Sequence, residues 1–279
     1  MTETPTRARP RRRPKTTTVL ETQRLTPHLI RIVVGGEDLR GFGAGEFTDH
    51  YVKLHIPPPG AGYTAPFDPE EVKERLPREQ WPKVRTYTVR AWDPERLRLT
   101  LDFVVHGDEG VAGPWAEAAR PGDTLQLMGP GGAYAPDPDA DWHLMVGDLA
   151  VVPAIAASLE RIPPGVPVHV LIEVPSPEDE VELRTPGDLH LTWLRGDGTG
   201  DTLVDAVRDL QFPAGRVHAF VHGEAIVVKE LRRHLVVDRG VPREALSASG
   251  YWKRGRDDEA WRAEKAEFNR RAEEELERA

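Results

Sequence analysis

The sequence predicts a small antiparallel β-barrel followed by a mostly parallel α/β unit. In the first half of the chain, apolar and polar residues alternate in short runs separated by glycine and proline, a pattern typical of antiparallel strands. In the second half, apolar strands alternate with helical segments, which favours a parallel sheet covered by helices on both faces. A length of 279 residues exceeds what most single cores hold, so two domains are expected.

The first half contains five or six candidate strands before residue 135. Closing them into a barrel removes exposed strand edges, which makes a barrel the economical arrangement. Residues 57–82 are rich in proline and are interpreted as a long excursion from the barrel. The clearest candidate strands are residues 29–34, 51–56, 85–91, 96–101 and 124–128.

The second half begins after an Asp-Pro-Asp turn at residues 137–139. Its candidate strands are residues 144–146, 168–172, 189–194 and 217–221, with one more within 241–251, and its candidate helices are residues 153–161, 202–210 and 225–238. The resulting division is a disordered basic tail (1–15), a barrel domain (16–136), an α/β domain (137–256) and a C-terminal surface helix (257–279).

Composition excludes several classes of function. The absence of cysteine excludes disulfides, thiolate metal sites and a cysteine nucleophile, and the ten histidines lack metal-binding spacing. A net charge of -9 argues against general nucleic-acid binding, and no apolar run is long enough to span a membrane. The basic N-terminal tail lacks the apolar core of a signal peptide. We therefore expect a cytoplasmic monomer that binds neither nucleic acid nor membrane and no metal ion of its own.

The run Arg-Thr-Tyr-Thr-Val-Arg at residues 85–90 is the most informative motif. Strand alternation places Arg85 and Tyr87 on one face and Thr86 and Thr88 on the other. A cation, an aromatic ring and hydroxyl groups within four residues suit a flavin dinucleotide, which needs a charge for its phosphates, a stacking surface and a donor near its ring edge. A strand with one solvated face is the alternative.

Residues 102–116 form a second informative run. A strand ends near His106, a glycine-rich turn follows, and a helical turn begins at Trp115. Backbone N–H groups at such a turn and helix start can hold a pyrophosphate without a charged side chain.

Five short motifs occur in a fixed order at residues 85–90, 102–107, 147–155, 222–224 and 249–255. Together they resemble the motif set of the siderophore-interacting proteins, over residues from about 17 to 268. Members of this family are FAD-dependent ferric-siderophore reductases related to the ferredoxin reductases. The resemblance implies an antiparallel six-stranded Greek-key FAD-binding barrel, then a mostly parallel nucleotide-binding-like α/β domain and a C-terminal helix.

The resemblance also implies where FAD binds. Arg85 would hold an FAD phosphate, Tyr87 would lie against the flavin ring, and Thr88 would sit near the N5 edge. For Trp252 a buried structural role is the alternative. The other implied cofactor-binding residues are Thr86, Asp102, Phe103, Val104, His106, Gly110, Ala112, Trp115 and Tyr251.

A ferric siderophore is the substrate that the resemblance implies. Many such chelates are anionic whereas the chain is acidic, so local cations must attract them. Lys53, Lys253 and Arg254 are the candidates, with solvated surface charges as the alternative for each.

NADH or NADPH is the electron donor that the resemblance implies, with Asp148, His222 and Glu224 near it. For His222, capping of the following helix is the alternative. The family's Gly-Asp-Glu-Thr motif appears here as Gly-Asp-Leu-Ala at residues 147–150, which leaves ferredoxin open as the donor. Gly113 stands where the family has a serine, so one hydroxyl contact to phosphate is expected to be absent or replaced by a backbone contact. A flavoreductase that serves a protein partner and a non-enzymatic siderophore-binding module remain as alternative functions.

Overall fold

The first half of the chain forms a closed antiparallel barrel in the structure, a computed structural model that describes residues 13–105, 107, 110–196 and 198–278. Its strands are β1 (Lys15–Thr26), β2 (Leu29–Gly35), β3 (Tyr51–Ile56), β4 (Lys83–Asp93), β5 (Arg98–Val104) and β6 (Thr124–Gly131). They pair in the order β1-β2-β5-β4-β3-β6. The predicted six-stranded Greek-key barrel is therefore confirmed.

Alternation along β2 and β5 fills the barrel interior. Ile32 pairs with Leu101, and both are completely buried. The pairs on either side of them, Ile30 with Phe103 and Val34 with Leu99, are buried as well. Since directly paired residues share a face, one apolar face of each strand lines the core.

Two short helices belong to the barrel half. The helix α1 (Pro69–Arg75) lies within the proline-rich excursion and was not predicted; the Asp68 side chain caps it by accepting from the Glu70 N–H at 2.9 Å. The helix α2 (Ala112–Ala118) follows β5 and packs its buried alanines into the barrel core.

The second half is a five-stranded parallel sheet with helices on both faces, as predicted. Its strands are β7 (Trp142–Asp148), β8 (Pro167–Val174), β9 (Asp188–Arg195), β10 (Val217–Glu224) and β11 (Leu246–Trp252), in the order β11-β10-β7-β8-β9. The helices are α3 (Val152–Leu159), α4 (Asp201–Asp209) and α5 (Ala225–Arg233), which a π-helical turn extends over His234–Asp238. The helix α3 packs into one apolar cluster, and α4 and α5 pack into another.

The C-terminal helix α6 (Asp258–Glu277) was also predicted, and it contacts both halves of the chain. Asp257 caps it by accepting from the Ala260 N–H at 2.7 Å. Trp261 is its buried apolar residue near the N-terminus. Arg262 reaches the barrel and donates to the Val84 carbonyl at 2.8 Å.

Buried polar contacts join the barrel to the parallel sheet. The helix α3 packs against β4 of the barrel as well as β7 of the sheet. The Thr48 hydroxyl lies 2.8 Å from the Ser158 hydroxyl on α3. On another side, the Thr26 hydroxyl donates to the fully buried Asp179 carboxylate at 2.8 Å. The two halves therefore share an ordered interface, which positions the motifs described below.

Candidate functional site

The middle of β4 and the ends of β5 and β11 meet between the two halves of the chain. Val104, at the end of β5, packs against the apolar cluster that covers one face of the parallel sheet. Tyr251, near the end of β11, packs against the same cluster, and its side chain hydrogen bonds with that of Thr88 on β4. The motif at residues 85–90 therefore faces the second half of the chain, where the sequence places the candidate site.

Register determines which residues of this motif share a face. Tyr87 pairs with Val52, whereas Thr86 pairs with Lys53. Because paired residues share a face, Tyr87 and Arg85 lie on one side of the strand and Thr86 on the other, as predicted. Thr86 is exposed, while Thr88 is buried beside Tyr251.

Three aromatic rings lie against one another where β4, β5 and α2 meet. The Tyr87 and Phe103 ring centroids are 4.3 Å apart, and those of Phe103 and Trp115 are 5.5 Å apart. Phe103 is completely buried, which fixes the position of the ring above it. Burial raises the pKa of Tyr87 above its usual value, so its hydroxyl stays protonated at neutral pH.

Arg85 carries the cation of the motif, and α6 engages it. Its Nη1 and Nη2 donate to the two carboxylate oxygens of Glu259 at 2.6 and 3.1 Å. Asp258 lies 3.5 Å from Nη1, and only 15% of the Arg85 side chain is exposed. The guanidinium expected to be available to phosphate is thus paired with two carboxylates of α6 that no sequence pattern places beside it.

The second motif contributes core side chains and a backbone turn. Asp102 is buried and accepts from Arg31 Nε and Nη2 at 2.7 and 2.8 Å, so its carboxylate serves the barrel and only its backbone is open to a ligand role. Ala112 also packs into the barrel core. No side chain of the described residues caps α2, whose first turn follows the exposed Gly110. The predicted site residue His106 lies outside the described residues.

Asp148 organises the carboxyl end of the parallel sheet. Its Oδ2 accepts from the Trp252 indole at 2.8 Å and from the Glu224 N–H at 3.0 Å, and its Oδ1 accepts from the Ala150 N–H at 2.9 Å. Burial raises the pKa of Asp148 to about 6, although these hydrogen bonds oppose the shift. A Cβ at Gly223 would lie 2.5 Å from Oδ2, so only glycine permits this approach.

Glu224 and His222 lie at the carboxyl end of β10, and their predicted place near the electron donor stays a prediction. Glu224 caps α5 by accepting from the Ile226 and Val227 N–H groups at 2.6 and 3.0 Å, so the alternative in which His222 caps this helix is wrong. His222 is buried within β10, 3.0 Å from the Ser247 hydroxyl. Burial lowers the pKa of His222 to about 3, so it carries no charge for a phosphate at neutral pH.

The two halves of the chain match two family models. Residues 18–134 match the siderophore-interacting FAD-binding domain, and residues 140–255 match the siderophore-interacting protein model. The chain is 37% identical over 248 residues to the ferric vibriobactin reductase ViuB of Vibrio cholerae, covering 86% of this chain and 90% of that relative. The chain belongs to the siderophore-interacting protein family.

Other similarities agree with membership of the siderophore-interacting protein family. The NADPH-dependent ferric-chelate reductase of Escherichia coli is 34% identical over 84% of this chain and 91% of its own. The crystal structure of the siderophore-interacting protein SipS from Aeromonas hydrophila superposes with a TM-score of 0.78 at 32% identity, covering 91% of this chain and 97% of that one. A ferredoxin reductase in carbazole 1,9a-dioxygenase, 16% identical, covers 86% of this chain and 69% of its own at a TM-score of 0.62 and shows the shared fold.

Of the three cations expected to meet the chelate, Lys53 is exposed, on the face of β3 that it shares with Thr86. Lys253 is held by α6: its Nζ donates to Glu264 at 3.2 Å and lies 5.7 Å from the centre of the Trp261 ring. The Arg254 guanidinium donates to the Gly198 carbonyl. Lys253 and Arg254 are therefore both engaged within the second half of the chain, and their role toward a chelate stays a prediction.

Trp252 is 38% exposed, so the alternative of a buried structural tryptophan is wrong. Sequence reasoning missed the carboxylates of Asp258 and Glu259, which reach Arg85. Their run of acids at the start of a predicted helix is an ordinary capping signal and carries no information about a partner on β4.

Among the described residues, no group of three or more histidine or acidic side chains is arranged to hold a metal ion. Within the same ranges, no helix combines the length and apolar character needed to cross a bilayer.

Proposed function

We propose that this chain is an FAD-dependent reductase that reduces Fe(III) in ferric siderophores to Fe(II), so that iron is released in the cytoplasm, with NADH or NADPH as the electron donor. The supporting observation is the Tyr87–Phe103 ring pair beside Arg85 and two threonines, within residues that match an FAD-binding domain. The relatives named ferric vibriobactin reductase and ferric-chelate reductase support the same reaction.

The residues present suit FAD. On one side of β4, Tyr87 offers a ring face that packs on Phe103 and Arg85 offers a planar guanidinium for a phosphate. On the other side, which faces Tyr251, Thr86 and Thr88 offer hydroxyl groups. The uncapped first turn of α2 adds backbone N–H groups nearby in the fold. When bound, FAD supplies the chemistry that links a two-electron donor to one-electron acceptors such as Fe(III).

At the iron, the protein has little to do beyond attracting and orienting the chelate. Fe(II) is less charged and softer than Fe(III), so hard oxygen chelators hold it more weakly. Lys53 is the best placed of the predicted cations because its side chain is exposed and shares a face with Thr86 in the flavin motif. Its charge would oppose the repulsion between an acidic protein and an anionic chelate.

The contacts at the carboxyl end of the parallel sheet favour ferredoxin as a second candidate electron donor. Nucleotide phosphates usually bind backbone N–H groups at this edge of a parallel sheet. Here Asp148 accepts from the Ala150 and Glu224 N–H groups, and Glu224 accepts from those at the start of α5. We propose that these carboxylates position Trp252 and Arg254 rather than bind a nucleotide, which keeps ferredoxin as an alternative to NADH or NADPH.

Anaerobic stopped-flow absorbance tests the proposal. The purified protein should contain or take up FAD, lose flavin absorbance on mixing with NADH, NADPH or reduced ferredoxin, and regain it when a ferric siderophore is added. Bleaching without recovery on the chelate would favour a reductase for a protein partner. A protein that takes up no FAD would favour the non-enzymatic binding module.

Substitution of Lys53 tests the substrate site. Lys53→Ala should raise KM for an anionic ferric chelate about fivefold, the value of roughly 1 kcal/mol, and leave FAD binding unchanged. Lys229→Ala is the matched control, because Lys229 of α5 pairs with Glu275 of α6 at 2.6 Å, outside the proposed site. Equal KM values for both variants and the unaltered protein would remove Lys53 from the site.

A further inference from the structure

The first turn of α6 and the proposed FAD-binding cation make a close contact. Arg85 donates to both Glu259 oxygens at 2.6 and 3.1 Å, and its Nη1 also donates to the Val84 carbonyl at 3.0 Å. This two-point pairing uses the flat edge of the guanidinium, the same edge that grips a phosphate with two parallel hydrogen bonds. Glu259 and a phosphate therefore cannot both hold the Nη1 and Nη2 edge at once.

The contact is not what holds α6 on the protein. Trp261 is buried, and Lys253 and Arg256 pair with Glu264 one turn further on at 3.2 and 2.7 Å. The Glu259 side chain, by contrast, is 39% exposed. A change of rotamer at Glu259 would release the Nη1 and Nη2 edge of Arg85 from Glu259 while the helix stays in place and Asp258 remains 3.5 Å from Nη1.

Charges of both signs lie around the contact, because Lys83 faces Glu259 and Lys265 faces Asp258 in addition to the two arginines. Asp257, Asp258 and Glu259 are consecutive acids. Arg85 pairs with Asp258 and Glu259, and Arg262 pairs with Asp258. Burial raises the pKa of Asp258, although Arg262 and Arg85 lower it, so the negative charges are costly there. Although burial acts to raise it, the pKa of Glu259 is lowered by its hydrogen bond with Arg85, so Glu259 is ionised at neutral pH.

We propose that Glu259 competes with the diphosphate of FAD for Arg85, so that this glutamate sets how tightly the cofactor is held. The proposal rests on the proposed function, in which Arg85 binds an FAD phosphate. Glu259 neutralises the cation until a phosphate takes its place, and binding of FAD displaces the Glu259 carboxylate toward solvent. The cofactor is consequently held more weakly than an unpaired arginine would hold it.

Titration of cofactor-free protein with FAD, followed by flavin fluorescence and calorimetry, measures this effect without any turnover. Glu259→Gln keeps the shape of the side chain and removes its charge. It should lower the Kd for FAD about fivefold, the range that a partly exposed ion pair is worth. Glu267 lies two turns further along α6 and pairs with Arg270 and Arg271. Glu267→Gln removes the same charge at that position and should leave the Kd for FAD unchanged.

A double-mutant comparison localises the competition. Arg85→Ala should weaken FAD binding, and Glu259→Gln in that background should have no further effect because no cation remains to be released. A Kd for FAD that is unchanged or higher in Glu259→Gln, or lowered equally by Glu267→Gln, would overturn the competition and leave the proposed function standing. A wild-type protein that binds no FAD would overturn the proposed function together with this inference.

Discussion

His143 provides a quantitative test of how burial shapes the acid stability of the parallel sheet. It is fully buried on β7, opposite His218 of β10, and neither of its ring nitrogens has a hydrogen-bond partner among the described residues. Burial, aided by His218, lowers the pKa of His143 to about 4, although Asp137 opposes the shift. The native state therefore holds this imidazole neutral at pH values where an exposed histidine is charged.

The sign and size of the effect follow from proton linkage. Below pH 6.5 the unfolded chain protonates His143 while the native state does not until about pH 4, so stability falls as pH falls through this window. At pH 5 the loss from this residue is about 2 kcal/mol relative to pH 8. His143→Leu removes the titration and two unpartnered buried polar atoms, so the variant should be at least as stable as the wild type at pH 8.

Urea unfolding at pH 8, 6 and 5, followed by tryptophan fluorescence, gives the two stability profiles. Their difference isolates His143, because His222 adds acid sensitivity in both proteins and Asp148, with its pKa raised to about 6, adds stability on acidification in both. We expect the fall in unfolding free energy between pH 8 and pH 5 to be about 2 kcal/mol smaller in His143→Leu. Parallel profiles for the two proteins would refute the reasoning.

Two further predictions concern packing and the interface between the two halves. Gly200→Ala should cost about 2–4 kcal/mol in thermal or urea unfolding, because φ is +83° and the new Cβ would lie 2.2 Å from Cγ2 of the buried Val227. Gly240→Ala, with φ +70° and open space, should cost only about 1 kcal/mol, and equal losses would contradict this account. Thr48→Val should lower the free energy of unfolding by about 1–2 kcal/mol, because it removes the buried hydrogen bond with Ser158. Glu160→Gln alters the more exposed ion pair with Arg90 and should lower it by less than about 1 kcal/mol. The reverse order of these two losses would show that the hydroxyl pair is dispensable.

The barrel could be predicted from sequence because its inside and outside follow directly from period-two alternation. Ile30, Ile32 and Val34 face the core and the residues between them do not, and this is visible without any tertiary information. The helix α1 has no such signal. Only Pro69 and Val72 of it are buried, and the proline-rich sequence around it resembles that of a loop.

The candidate site was predictable in its location but not in its partners. The order of motifs indicates that residues 85–90 face the second half of the chain, and the contact between Thr88 and Tyr251 agrees. The carboxylate that pairs with Arg85, however, lies 174 residues further along the chain. No local pattern specifies such a pairing, since it depends on where α6 docks.

The same limit applies to charge state. His222 and Lys253 look like available cations in the sequence. Burial within β10 keeps His222 neutral, and Glu264 of α6 accepts a hydrogen bond from Lys253. Burial and long-range partners decide both outcomes, and both arise only after folding.

The helix α3 limits how far the two halves of the chain can move apart. Because it packs on β4 and β7 together, with the Ser158 hydroxyl bonded across to Thr48, it is a shared wall between the halves. A helix packed on both halves resists hinge bending, so under the proposed function a ferric chelate would reach the site from the outer edge of the interface between the halves. Truncation to either half alone would leave the apolar surface that packs across α3 exposed to solvent, and such a surface promotes aggregation.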